Sequence, residues 1–175
     1  MQVGDGKPSL FNLTICLSSC IIQVVFKEEE VLVGVHVKVF ALGCIDPRFR
    51  DAFQQFIQKK FKVSPTQYDL KTDAGGSREI ALKTTSGEWM LQNAEIAYSK
   101  HGARIFVLCN HIDCAHYGGA NKFSGPEDEG QTHSADLKTA ALVLKEKLPD
   151  IEVFAYLVHK EQRYREAFIF QQVTV

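Results

Sequence analysis

The sequence predicts an α/β domain with a mostly parallel central sheet flanked by helices. Val31 to Ile45, Arg104 to Cys109 and Ile151 to Val158 hold apolar runs of strand length without strict alternation, as in strands covered on both faces. Segments of helical periodicity separate these runs, and strands alternating with helices imply parallel neighbours. Two of the runs end in residues able to ligate a metal, which is where open α/β sheets place their ligands.

The elements follow in order. Val37, Val39, Phe40, Ala41 and Leu42 centre the first strand of the domain, and Gly43-Cys44-Ile45-Asp46-Pro47-Arg48 closes it. Phe49 to Phe61 has helical spacing, with Phe49, Phe53, Phe56 and Ile57 on one side, and Val63-Ser64-Pro65 ends that helix. Tyr68 to Lys71 fits a short strand leading into the turn Asp73-Ala74-Gly75-Gly76-Ser77-Arg78. Thr85-x-x-Glu88 has the form of a capping box, and Met90, Ala94 and Ala97 continue a helix that stops at His101-Gly102. After the Arg104–Cys109 strand, four glycines, Pro126 and the acidic run Glu127-Asp128-Glu129 mark Gly118 to Gln131 as a loop. Ser134 to Leu148 is the clearest helix, with Leu137, Ala141, Leu144 and Leu148 on one stripe, and Ile151–Val158 and Ala167–Val173 read as the last strands.

Composition narrows the function. With 175 residues, 45% hydrophobic and 23% charged, residues 36–175 suit a single domain with a real core. A formal net charge of −1 gives no electrostatic case for a nucleic-acid or anionic-membrane partner. Residues 1–35 read as an N-terminal arm: Leu10 to Phe26 is apolar but interrupted by Asn12, Thr14, Ser18, Ser19 and Gln23, short of the roughly 20 apolar residues of a spanning helix. Five cysteines, an odd number without a clear secretory signal, point to a reducing, cytoplasmic setting with thiols kept for metal or chemistry.

The chemistry concentrates in Cys44-x-Asp46-x-Arg48 and His111-x-x-Cys114. Parallel neighbours present their carboxyl ends on one edge, so these clusters can meet and supply Cys, His and Cys, a ligand set suited to zinc with one position left open. Asp46 lies near enough to reach the metal or its water, and Arg48 is placed to hold that carboxylate by a forked pair; a plain ion pair at the helix N-terminus is the competing reading. Cys109 reads as core strand, Cys16 and Cys20 as buried thiols, and Gly75 and Gly76 as a tight turn beside the pocket. His116 reads equally as a proton shuttle and as a solvent-facing side chain.

Cys44-Ile45-Asp46-Pro47-Arg48, Ala74-Gly75-Gly76 and His111-Ile112-Asp113-Cys114, in that order, resemble the motifs of the β-class carbonic anhydrases over residues 36 to 175. The resemblance implies Cys44, His111 and Cys114 as zinc ligands, Asp46 and Arg48 as the active-site dyad, and Gly75 and Gly76 beside the substrate pocket. It implies reversible hydration of carbon dioxide to bicarbonate by zinc-bound hydroxide, in a homodimer or a multiple of dimers. Two alternatives keep the same site: a zinc hydrolase of carbonyl sulfide or carbon disulfide, and a non-catalytic zinc- or bicarbonate-binding protein in which Asp46 takes the fourth position. Thr72-Asp73 stand where the family usually has Arg-Asn, and Ala115 where it commonly has glycine. His116-Tyr117-Gly118-Gly119 and the segment to Gln131 look like an elaboration placed to form a lid or change access.

Overall fold

The computed structural model describes residues 10–17, 20–27, 36–160 and 167–175. It divides into two units, Met1–Gly34 and Val35–Val175. In the first, β1 (Leu10–Leu17) and β2 (Cys20–Lys27) form an antiparallel pair with Leu17 opposite Cys20. The expected arm therefore contains a hairpin. The expected burial of the Cys16 and Cys20 thiols, and the start of the predicted strand at residues 31–35, lie outside what is described.

The second unit is built on a five-stranded sheet of order β4-β3-β5-β6-β7, comprising β3 (Val39–Cys44), β4 (Tyr68–Asp73), β5 (Ile105–His111), β6 (Glu152–Lys160) and β7 (Phe168–Val173). All neighbours are parallel except β6 and β7. This is the predicted fold class. The helices are α1 (Pro47–Phe61), α2 (Arg78–Ala81), α3 (Thr85–Ser99) and α4 (Pro126–Lys147). No helix among the described residues is long and apolar enough to cross a membrane.

The unbroken apolar runs are explained by burial on both faces. Val39 and Ala41, Val107 and Cys109, and Tyr156 and Val158 join the core that contains Phe49, Phe53 and Ile57 of α1. Their alternates Phe40 and Leu42, Phe106 and Leu108, and Ala155 and Leu157 join a second core with Ile80, Met90, Leu137 and Leu144 of the other helices. Gly43 falls on the α1 side, where a Cβ would come within 2.7 Å of the Phe53 ring. Glycine there lets α1 close onto the strand end.

Several boundaries differ from expectation. Strand β5 runs two residues further, to His111, which pairs with Val158 of β6. Three other differences each have a legible reason. Helix α4 begins at Pro126 rather than Ser134, so Glu127, Asp128 and Glu129 form its first turn. Proline is suited to that first position, and carboxylates favour the positive end of the helix dipole, so the acidic run is a helix start and not a solvated loop. Helix α3 is capped by Thr84, whose hydroxyl accepts from Gly87 N at 3.2 Å, one residue before the expected box. Strand β4 runs on to Asp73, beyond the expected Lys71, because it stays paired with β3 as far as Cys44.

Helix α4 also buries His133 completely, against the Tyr117 ring at 3.9 Å between centroids and Glu129 Oε1 at 3.7 Å. Burial pushes its imidazolium pKa down to about 4. A depressed histidine pKa means that the unfolded chain binds the proton first. Stability is therefore present above pH 6.5 and is lost as pH falls toward 4, with about 2 kcal/mol expected between pH 7 and pH 5. Urea denaturation at these two pH values should show that loss, and His133→Phe should flatten it. An equal loss in the variant would exclude His133 as its source.

Candidate metal centre

Strand pairing puts the two motifs side by side. Cys44 ends β3, His111 ends the adjacent parallel strand β5, and Cys114 follows in the turn after it. One donor atom from each of Cys44, His111 and Cys114 lies within 4.8 Å of the others. The two sulfur atoms are 3.9 Å apart. Two thiolates on one tetrahedral zinc at about 2.3 Å would stand about 3.8 Å apart, so the spacing fits that ion.

The histidine is prepared for the same role. His111 Nδ1 lies 2.8 Å from the Ile112 carbonyl, an acceptor, so Nδ1 carries the proton and Nε2 presents a lone pair. Nε2 is buried without a hydrogen-bond partner in the protein. Position 111 falls on the α1 face of the sheet, and the ring stacks on Phe49 at 4.0 Å, which sets its plane. A buried, oriented, unpartnered imidazole nitrogen beside two thiols is costly unless it ligates a cation. The residues present therefore fit zinc. As a bare pair, Cys44 and Cys114 share one proton: the Cys114 thiol hydrogen-bonds the Cys44 thiolate, holding Cys44 near a pKa of about 4 and pushing Cys114 up. Cys109, fully buried in the core, is pushed up by burial.

Asp46 is the N-cap of α1, so the helix-terminus reading also holds: its Oδ1 accepts from Arg48 N at 2.9 Å. The same carboxylate takes a forked pair from Arg48, Nε at 3.0 Å to both oxygens and Nη2 at 2.5 Å to Oδ2. Those bonds hold its pKa below the ordinary carboxylate value. Asp46 Oδ2 lies 3.8 Å from His111 Nε2, at the edge of the ligand cluster. Arg48 also donates to Asp113, Nη1 to Oδ2 at 3.0 Å and Nη2 to the carbonyl at 3.1 Å.

A cavity of about 300 Å³ opens on the cluster, lined by Cys44, Asp46 and Cys114 with apolar Ile45, Pro47, Ala74 and Ala115. Gly75 and His116 complete its wall. Both glycines need their freedom, at φ +76° for Gly75 and +61° for Gly76. A Cβ on Gly75 would strike His116 at 2.5 Å, and one on Gly76 would strike the Cys109 carbonyl at 2.6 Å. Gly75 thus lines the cavity, whereas Gly76 backs onto β5. Asn110 anchors that turn: its Oδ1 accepts from Ser77 N and Oγ, both at 3.0 Å, and its Nδ2 donates to Tyr117 Oη. His116 is not simply solvent-facing, since its Nε2 meets Glu79 Oε1 at 2.6 Å, and Glu79 Oε2 accepts from Thr84 Oγ1 at 2.6 Å.

The departures noted in the sequence prove local. Asp73 does not line the cavity; it accepts from Ala74 N at 2.8 Å and lies 3.6 Å from Lys71 Nζ. Ala115 opens a 3-10 turn, Ala115–Tyr117, at negative φ, so the turn does not require glycine there. Asp113, Asn110, Glu79 and Glu129 were not singled out by sequence reasoning. The one signal for Asp113 was a carboxylate inside the His111–Cys114 spacing.

The family model described as "Putative carbonic anhydrase" matches residues 35–167, about three quarters of the chain. A curated protein of Rickettsia bellii, itself uncharacterized, is 22% identical over 143 residues, covering 79% of this chain and 86% of that protein. Among solved structures, a carbonic anhydrase from Glaciozyma antarctica aligns with a TM-score of 0.52 at 15% identity, over 83% of this chain and 87% of its own. The β-carbonic anhydrase CafA of Aspergillus fumigatus aligns with a TM-score of 0.52 at 13% identity, over 81% and 77%. At such identities the structural likeness speaks for the fold, while the family match spans both ligand motifs. The chain belongs to this carbonic anhydrase family, as a divergent member with the β-carbonic anhydrase fold.

Proposed function

We propose that this protein is a zinc-dependent carbonic anhydrase, hydrating carbon dioxide reversibly to bicarbonate. The observation that carries the reading is the Cys44, His111 and Cys114 donor set, with a buried, unpartnered His111 Nε2 turned to two facing thiols. Zinc held by these three residues would supply Lewis acidity toward water, an effect for which carbonic anhydrase itself is the standard example. Asp46, kept ionised by Arg48, accepts a hydrogen bond from the reacting water and orients it. The apolar walls Ile45, Pro47, Ala74 and Ala115 suit a small apolar substrate. His116, with Glu79 behind its ring, carries protons between the cavity and solvent.

A homodimer or a multiple of dimers is the assembly we infer, supported by Ile45, which lines the cavity yet leaves 56% of its surface exposed. A cytoplasmic setting is supported by the unpaired thiols Cys44, Cys109 and Cys114.

Zinc-quantified protein should accelerate carbon dioxide hydration in a stopped-flow assay at pH 8.5. One zinc per chain without acceleration above buffer would overturn the substrate. Cys44→Ser should weaken zinc binding by more than about 100-fold, since loss of an outer-shell partner alone costs about 10–100-fold. Stoichiometric zinc retained by that variant would overturn the ligand set. In chelator-treated protein, a Cys44 pKa of about 4 means that the thiolate is already formed at pH 5. Iodoacetamide should therefore label Cys44 at nearly the same rate from pH 5 to pH 8, with Cys109 unlabelled, as peptide mass spectrometry would read. A rate rising about tenfold per pH unit would show an ordinary thiol instead.

A further inference from the structure

The Arg48 guanidinium is gripped on two edges. One edge, Nε and Nη2, faces the Asp46 carboxylate. The other, Nη1 and Nη2, faces Asp113, through its carboxylate at 3.0 Å and its carbonyl at 3.1 Å. The two carboxylates do not compete for the same donors, because the planar fork satisfies both at once. We propose that Asp113 is a positioning residue, which fixes Arg48 from the edge opposite Asp46 and so keeps the Asp46 carboxylate off the ligand cluster.

Three observations support the role. Asp113 is itself immobilised: its N–H donates to buried Glu129 Oε1 at 2.6 Å, and its Oδ1 accepts from Ala120 N at 3.2 Å. Its backbone stands at φ +58°, a conformation that aspartate tolerates better than most residues and that turns its carboxylate and carbonyl toward the same guanidinium. Asp46 has a competing partner close by, for its Oδ2 is only 3.8 Å from His111 Nε2. A carboxylate at that distance would be drawn to a dication held there unless another cation retained it. Arg48 is that cation, and a long arginine side chain that is 41% exposed keeps its place only if something orders it. Asp113 is 56% exposed, so its bond is of the kind that adds little to global stability, and its worth lies in aim.

The second half of this inference, concerning the metal, rests on the zinc reading above; the first half does not. The variants are Asp113→Gly, which keeps the left-handed turn and removes the carboxylate, and Asp113→Asn, which keeps an acceptor oxygen. In metal-free, nitrogen-15-labelled protein, hydrogen exchange of the Arg48 Nε–H reports on the bond to Asp46, which Asp113 does not touch. Asp113→Gly should speed that exchange about five-fold, the equivalent of a partly exposed ion pair, and Asp113→Asn should restore most of the protection. Unchanged exchange in Asp113→Gly overturns the proposal, whatever the metal does. In cobalt(II)-loaded protein, thiocyanate binding read by visible absorption reports on access to the fourth position. Asp113→Gly should bind thiocyanate about five-fold more weakly than the parent protein; equal affinity overturns the claim that the grip reaches the metal. Failure of the parent protein to take up cobalt(II) with thiolate absorption would overturn the zinc reading and with it the second half, while the exchange data still decide the first.

Discussion

Parallel pairing of β3 with β5 is the constraint on which the site depends. It turns a sequence separation of 70 residues between Cys44 and Cys114 into a sulfur–sulfur distance of 3.9 Å. No local turn could do this. The pairing needs both strands buried on both faces, and hence α1 on one side and the other helices on the opposite side. The two cores therefore act as supports for one edge of one sheet.

Alternation along β5 divides the support. His111 faces α1, where Phe49 sets the plane of its ring. Asn110, one residue earlier, faces the other way and ties the Ser77 turn to Tyr117. Tyr117 in turn donates to Asp136 of α4 at 2.7 Å. One layer orients the ligand, and the opposite layer holds the loops around it. The charges follow the same economy: Arg48 is shared by Asp46 at the cavity and Asp113 in the ligand turn, so a single guanidinium links α1 to the end of β5.

Much of this was legible in the sequence because periodicity reports burial directly. Uninterrupted apolar runs meant strands covered on both sides, and motifs at their carboxyl ends meant residues that a parallel sheet would gather. The start of α4 was misread because acidic residues and proline were weighed as loop formers; in that order, Pro126 followed by three carboxylates is a helix start. Asp113 and Glu129 were illegible for a different reason. Their roles arise from a backbone at φ +58° and from a contact at 2.6 Å between elements 16 residues apart, and neither leaves a periodic trace. The Asp46–Arg48 pair was readable because both residues sit within a single turn of helix.

The His116 ring occupies the volume that a side chain at residue 75 would need, with a Cβ there reaching to 2.5 Å from it. The aperture is thus gauged by a missing methyl group, and the ring is braced from behind by Glu79. The entrance is set jointly by the turn after β4, fastened to β5 through Ser77 and Asn110, and by the His116 ring that faces it. The longer stretch from Gly118 to Gly125 lines none of this entrance, and reaches the site only through the Ala120 N–H that holds Asp113.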